Sequence, residues 1–429
     1  MSNFSSEFFV GAATAAHQVE GNNRNSDCWA QEQMTHTSYA EPSLDAVDHY
    51  NHYEEDIQLM AGAGLNAYRF SIEWARIEPQ EGVYDETATA HYRDVIACCK
   101  KNGLEPVVTL HHFSSPKWLI SKGGWEAETT PHDFARYTRY LMEQLGAELH
   151  YVCTINEANM GIQVAAISRQ IIAQMTKAQA EGTCSDSQIQ MGLNIEKMMA
   201  NQAAMVEEHK TVFGVTDPQC FTSARTTHGD ELVMEAHKAA RAVIREVCPH
   251  VKVGLTLSLH DIQALPGGEA SAQAEWDEEF THYLPSIAED DFLGVQNYTR
   301  TLHDKNGSMP APDGAELTQM DYEYYPEGLE HVLHRVAENF EGELIVTENG
   351  IATSDDTRRV AFIQTALNGV QHCIADGLPV KGYFYWSLLD NFEWQKGYTM
   401  TFGLIAVDRK GNQQRKPKPS LAYLGSWCG

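Results

Sequence analysis

A chain of 429 residues with 43% hydrophobic and 21% charged side chains has the composition of a soluble globular protein able to bury a large core. Lysine and arginine number 31 against 59 acidic residues, a formal charge of −28 at neutral pH. So acidic a surface repels phosphate backbones and anionic lipids, which argues against nucleic-acid and membrane partners and in favour of a neutral small-molecule substrate.

The chain opens on Met1-Ser2-Asn3-Phe4-Ser5, without the basic stretch and apolar run of a signal peptide. No later segment approaches the roughly 20 apolar residues of a membrane span, so a cytoplasmic address is expected. The nine cysteines are scattered, with one adjacent pair at Cys98-Cys99, and read as reduced thiols.

The first apolar run, Phe8 to Gly11, predicts a strand; Gly11-Ala12-Ala13-Thr14 is not the glycine-rich phosphate loop of an open dinucleotide-binding sheet. Ile57, Met60 and Ala61 recur at helical spacing before Gly64 and a second strand, Ala67 to Ser71. Strands at Pro106 to Leu110, after Gly103, and at Tyr151 to Ile155 continue the alternation. From Met160 to about Asp230 the rhythm breaks into a helix-prone segment rich in Ala, Gln and Met, with a turn near Gly182-Thr183-Cys184-Ser185. Met175, Met191, Met198, Met199 and Met205 there read as ordinary helix core, with a ligand-facing surface as the alternative. Strands resume at Val251 to Leu257, Phe292 to Gln296 and Leu344 to Thr347. A helical stripe of Ile363, Leu367, Val370 and Ile374 leads through Gly377 to Val380 to Trp386. Eight strands alternating with amphipathic helices, without a linker or repeat, predict an α/β fold: a single (β/α)8 TIM barrel over residues 1–429, with a helical insertion after strand 4 at about 160–230.

In such a barrel the site forms at the C-terminal strand ends, and polar residues gather there. They are His17, Gln18 and Glu20 after the first strand, Arg69 and Glu73 at the second, His111 and His112 at the third, Asn156 and Glu157 at the fourth. The sixth gives Gln296, Asn297 and Tyr298, the seventh Glu348 and Asn349, the eighth Trp386 with Glu393 and Trp394 on its loop. Carboxylates, amides and indoles suit a neutral polyol: hydrogen bonds for hydroxyls, aromatic faces for the C–H surface of a sugar. Glu157 and Glu348, each where a buried strand runs out, are the paired carboxylates that glycosidic cleavage requires. One needs a raised pKa to hold a proton and the other must stay ionised, which Arg69 and Tyr298 would favour.

Bland readings attach to the rest. Adjacent strand residues point to opposite faces, so His111 and His112 do not make a metal pair, and no metal is expected. Glu20 and Glu73 are as well explained by arginine pairs at the barrel mouth as by substrate contact. Trp29, Trp74, Trp118 and Trp125 read as packing, and the sequon Asn297-Tyr298-Thr299 as chance or as serving another purpose.

The motifs resemble glycoside hydrolase family 1, the retaining β-glycosidases, over almost the whole chain. The matching pieces are Phe9 to Gly21, Tyr68 to Ile77, Thr154-Ile155-Asn156-Glu157, Ile345 to Gly350 and Trp386 to Trp394. The resemblance implies that Glu157 is the acid/base and Glu348 the nucleophile of a covalent glycosyl-enzyme, with Arg69 and Tyr298 tuning Glu348. It also implies substrate contacts from Gln18, His112, Asn156, Glu393 and Trp394, Trp386 as a stacking platform, and a cis peptide at Trp386-Ser387. Against the family pattern stand Ala158 after the acid/base glutamate, His17 in place of a tyrosine, Phe113 in place of a tryptophan, and Gln296-Asn297 before Tyr298. The phospho-sugar branch uses Ser, Lys and Tyr in the eighth loop, where this chain has Glu393 and then Met400-Thr401-Phe402. The expectation is a cofactor-independent β-glucosidase acting on small or aryl β-glycosides; a weakly active glycan-binding relative and a transglycosidase sharing the intermediate are the alternatives. A homo-oligomer is left open.

Overall fold

The computed structural model describes residues 4–178 and 194–429. Eight parallel strands close on themselves: β1 (Phe9–Thr14), β2 (Ala67–Ser71), β3 (Glu105–His111), β4 (Tyr151–Ile155), β5 (Lys252–Ser258), β6 (Phe292–Gln296), β7 (Glu343–Asn349) and β8 (Val380–Trp386). Pairing of β1 with both β2 and β8 seals the barrel. The expected TIM barrel is therefore present. Its β1 runs three residues beyond the predicted end, because Ala13 pairs with Trp386 and Thr14 with Phe70 on either side. Neighbours that satisfy the backbone on both edges keep the weak strand formers Ala12 and Ala13 extended.

Strand alternation sorts the residues. Ala13, Ala67, Val107, Cys153, Phe292, Ile345, Phe384 and Trp386 pack together as an inner cluster. The opposite faces join the larger core beneath the helices. Room inside is tight: a side chain at Gly254 would meet the Phe292 carbonyl at 2.3 Å and its ring at 2.8 Å. The outer helices are cut as the sequence predicts. Gly64, Gly103 and Gly377 take left-handed φ of 96, 75 and 92° as helices end before β2, β3 and β8. Ile363, Leu367 and Val370 are fully buried, but Ile374 is 37% exposed; in that final turn Cys373 takes the buried place.

The insertion supplies two helices, Met160–Ala178 and Ile195–Phe213; its predicted turn lies outside the described residues. Asp230 does not belong to it. That residue sits in helix Thr227–Val247, whose buried stripe of Leu232, Val233, Ala236 and Ala240 makes it an outer layer of the barrel. Helix Ile195–Phe213 reaches across the barrel mouth: Asn201 donates to the Thr37 carbonyl at 3.2 Å, Lys197 bonds the Tyr39 carbonyl, and the Asn194 amide donates to Gln395 at 2.7 Å. Met199 is exposed and Met205 half-buried, and neither lines the cleft at the strand ends; Met191 and the side chains of Met175 and Met198 lie outside the described residues.

One buried ion pair fastens the chain's end to its first long helix. Arg415, on strand Gln414–Pro417, donates to both oxygens of Asp56 at 2.8 and 2.9 Å, and His49 lies 2.8 Å from the same carboxylate. Burial raises the Asp56 pKa, but these partners outweigh it and hold the carboxyl below its ordinary value. Its contribution is thus present above the unfolded-state pKa and is lost as pH falls through the folded one. Asp56→Ala, which strands a buried guanidinium, is expected to cost about 3–5 kcal/mol in urea unfolding at neutral pH. The penalty should shrink on acidification.

Candidate active site

A cleft of about 300 Å³ at the C-terminal ends of the strands is lined by Gln18, His112, Phe113, Glu157, Tyr298, Glu348, Trp386, Glu393, Trp394 and Phe402. Eight of the ten residues to which the family resemblance gives a role stand on this wall. Arg69 and Asn156 lie directly behind it, fully buried.

Glu348 owes its place to an irregularity in β7. Val346 pairs with Val295 and Glu348 with Gln296, so Thr347 is an extra residue in the ladder. Thr347 faces inward, its methyl beside Gly294. Strict alternation would then turn Glu348 outward, and the bulge brings it back to the barrel axis. There Arg69 donates to Oε1 at 2.6 Å and Tyr298 to Oε2 at 2.6 Å. Arg69 also bonds Asn156 Oδ1 at 2.5 Å, and Gln296 donates to that same oxygen at 2.8 Å. With Oδ1 so committed, Asn156 Nδ2 faces His112 Nε2 at 3.1 Å and makes it an acceptor. Burial and the nearby Arg69 push the His112 pKa well below its ordinary value, so the ring is neutral.

Glu157 contrasts with Glu348. Its amide donates to Thr256 Oγ1 at 2.9 Å, which fixes the turn after β4, while among the described residues no side chain hydrogen-bonds its carboxyl. Burial first, and the Glu348 charge second, raise its pKa well above the carboxylate range. Burial also raises Glu348, against the pull of Arg69 and Tyr298. The proton of the pair therefore resides on Glu157.

The far wall is aromatic and amide. His112 stacks on Trp386 with centroids 5.5 Å apart, and Trp394 stacks on His17 at 5.7 Å and 6°. Gln18 donates to Glu393 at 3.1 Å and to the Phe392 carbonyl at 2.9 Å, and its own Oε1 is buried with no hydrogen-bond partner among the described residues. A ligand hydroxyl would satisfy that oxygen. The Trp386-Ser387 peptide is cis. Three residues on the wall, Phe113, Glu157 and Trp394, hold left-handed φ of 66, 43 and 43°. For non-glycine residues this costs about 1–3 kcal/mol each. Backbone energy is spent here on side-chain aim.

The remaining sequence candidates settle as follows. His111 and His112 do diverge: His111 bonds Ser115 at 2.9 Å behind the wall and, buried, has its pKa lowered to about 3. Glu20 pairs with Arg76 at 2.8 Å. Glu73 makes no ion pair with an arginine among the described residues; Ser114 donates to it at 3.2 Å, and burial lifts its pKa to about 7. His17 instead forms a buried pair with Glu32 at 2.6 Å. Trp74 and Trp125 are core. Asn297 of the sequon is fully buried and spends its amide on the Leu259 and Thr299 carbonyls, shaping the turn that presents Tyr298. Sequence reading missed Thr256, the one contribution from β5; the hydroxyl interrupting Leu255-Thr256-Leu257 was its only signal. It also named no contact at Phe113 or Phe402.

The chain matches known proteins over almost its whole length. The Glycosyl hydrolase family 1 model matches residues 1–178 and 273–428. The chain is 29% identical to a beta-glucosidase from Agrobacterium sp. (strain ATCC 21400), over 99% of this chain and 94% of that one. It is also 29% identical to a 6-phospho-beta-galactosidase from Lacticaseibacillus casei, over 98% and 97%. The crystal structure of beta-glycosidase BGL167 superposes with a TM-score of 0.87 at 43% identity, covering 99% of this chain and 97% of that one.

Proposed function

The chain belongs to glycosyl hydrolase family 1, and from that premise we propose that it is a retaining exo-β-glycosidase acting on small or aryl β-glucosides by double displacement. The observation that carries the reading is the asymmetric pair: Glu348 clamped by Arg69 and Tyr298, Glu157 unclamped in the same cleft. Glu348 attacks the anomeric carbon as Glu157 passes its proton to the departing oxygen; Glu157 then deprotonates the water that releases the sugar. Gln18, His112, Glu393 and Trp394 take the sugar hydroxyls and Trp386 supports its apolar face, while Asn156, expected from the resemblance to touch substrate, acts from behind the wall by holding His112. Cys28, Cys98, Cys99, Cys153, Cys220, Cys248 and Cys373 are free thiols, which supports a reducing, cytoplasmic setting. No described helix is long and apolar enough to cross a membrane.

One of the relatives is named for a phosphorylated sugar, but here Glu393 stands in the cleft, and among the described residues no lysine or arginine lines its wall. A phosphate dianion would meet a carboxylate. On a panel of β-aryl glycosides, kcat/KM for the glucoside is expected to exceed that for its 6-phosphate by about 100-fold or more. NMR of the first-formed sugar should show the β anomer; an α product would overturn the retaining mechanism.

Tyr298→Phe removes the donor that favours ionised Glu348. Its pKa then rises, so the acid limb of kcat/KM, which follows Glu348 deprotonation, should move to higher pH. Activity at the optimum is expected to fall about 100-fold, read from the pH profile on an aryl β-glucoside.

A further inference from the structure

Beyond the C-terminal end of β5 lies a second cavity, of about 410 Å³, that shares no residue with the glutamate cleft. His260, Glu275, Glu279, Gln163 and Thr301 line it. His260 follows β5 directly, and Glu275 and Glu279 stand one turn apart on helix Glu269–Glu279, a spacing that puts both on one face. One donor atom from each of these three side chains lies within 4.8 Å of the other two. Glu279 is held in place: Gln163 donates to its Oε1 at 2.7 Å, His260 Nδ1 lies 2.7 Å from that oxygen, and the His260 amide donates to Oε2 at 3.1 Å. Thr301 donates to Glu275 Oε1 at 3.4 Å.

A fourth group, His303 on strand Arg300–Asp304, reaches Glu275 from behind the cavity wall. His303 is 1% exposed, its Nδ1 lies 2.9 Å from Ser271 Oγ, and its Nε2 lies 3.1 Å from Glu275 Oε2. That last approach is poorly aligned for a hydrogen bond, so among the described residues the Glu275 carboxylate is this buried ring nitrogen's sole polar contact, an ion pair of strained geometry. Buried polar atoms in that condition are rare and costly, and a cation bonded to both groups relieves the cost.

We propose that His260, Glu275, Glu279 and His303 bind a divalent transition-metal cation of the Zn²⁺ class. Two imidazoles with two carboxylates form a mixed nitrogen and oxygen donor set, which suits Zn²⁺ and its first-row neighbours; Ca²⁺ and Mg²⁺ want oxygen alone. Bonds of about 2.0–2.2 Å draw opposed donors to no more than about 4.4 Å. Glu275, whose side chain is 25% exposed, can turn to close the gap. The cation's place is structural. Gln163, which grips Glu279, belongs to the helix that starts at Met160, three residues after Glu157. Fixing Glu279 thus braces the segment that leaves the proton-bearing glutamate.

The test is a titration of the whole, EDTA-treated protein with Co²⁺, then Zn²⁺, with Mg²⁺ as a control. One equivalent of Co²⁺ should bind with visible d–d absorption, be displaced by one equivalent of Zn²⁺, and raise Tm. Glu275→Gln and His303→Gln should each weaken binding by about 10–100-fold or more, while metal-free Glu275→Gln keeps the wild-type rate on an aryl β-glucoside. Absence of saturable binding by the wild-type protein overturns the site, whatever the variants do. Unchanged affinity in folded variants overturns these ligands. The binding readout is independent of whether the cleft hydrolyses glycosides.

Discussion

Glu348→Gly should lose at least about 10⁴-fold in turnover of an aryl β-glucoside, the scale on which removal of a covalent nucleophile is felt, and azide should restore release of the phenol, with the glucosyl group leaving the enzyme as the α-glycosyl azide. The structure explains why the variant is informative. Arg69 keeps the Asn156 Oδ1 and Thr347 carbonyl as acceptors when the carboxylate is gone, so the guanidinium is not orphaned and the fold has reason to survive. The emptied space sits beside that positive charge, where a small anion is welcome. One displacement from that side inverts the anomeric centre, hence the α product. Circular dichroism and Tm establish that the variant is folded. Wild-type turnover in the folded variant, or a β-azide, would sink the assignment of Glu348.

How far the sequence discloses this site depends on how local each determinant is. The barrel is legible because each strand is a short apolar run and the helices between them end at glycines such as Gly64 and Gly377. Glu348, Arg69 and Tyr298 are legible because they sit in motifs at strand ends. The bulge at Thr347 is not, since only the register against Val295 and Gln296 reveals it. Thr256 escapes notice for the same reason: its hydroxyl matters through the Glu157 amide, 99 residues away in the chain. His17 shows the limit from another side. Its position is obvious, but its partner Glu32 comes from a helix that no strand-end pattern would select. His260, Glu275, Glu279 and His303 follow no compact ligand spacing and meet only when β5 and the segments after it are folded together.

Glu157→Gln should separate substrates by leaving group. For a β-glucoside whose alkoxide needs a proton, kcat/KM is expected to fall about 10²–10⁴-fold; for a dinitrophenyl glucoside, whose phenolate leaves unaided, it should stay near the wild-type value. The pH profile carries the same signature. Burial and the Glu348 charge raise the Glu157 pKa, so the protonated acid persists through neutrality and the rate falls only as pH climbs through that raised value. Glutamine does not titrate, and the variant's basic limb should vanish. The two causes also explain how one group gives a proton and then takes one. Once Glu348 is bound to the sugar as an ester its charge is gone, one of the two raising influences is removed, and the Glu157 pKa falls toward the range of a base. In the glutamine variant that second step lacks its base, so the glycosyl-enzyme accumulates and azide should intercept it after two displacements as the β-azide. The α product from Glu348→Gly and the β product from Glu157→Gln would thus order the two glutamates in one mechanism, and the same anomer from both variants would refute the division of roles.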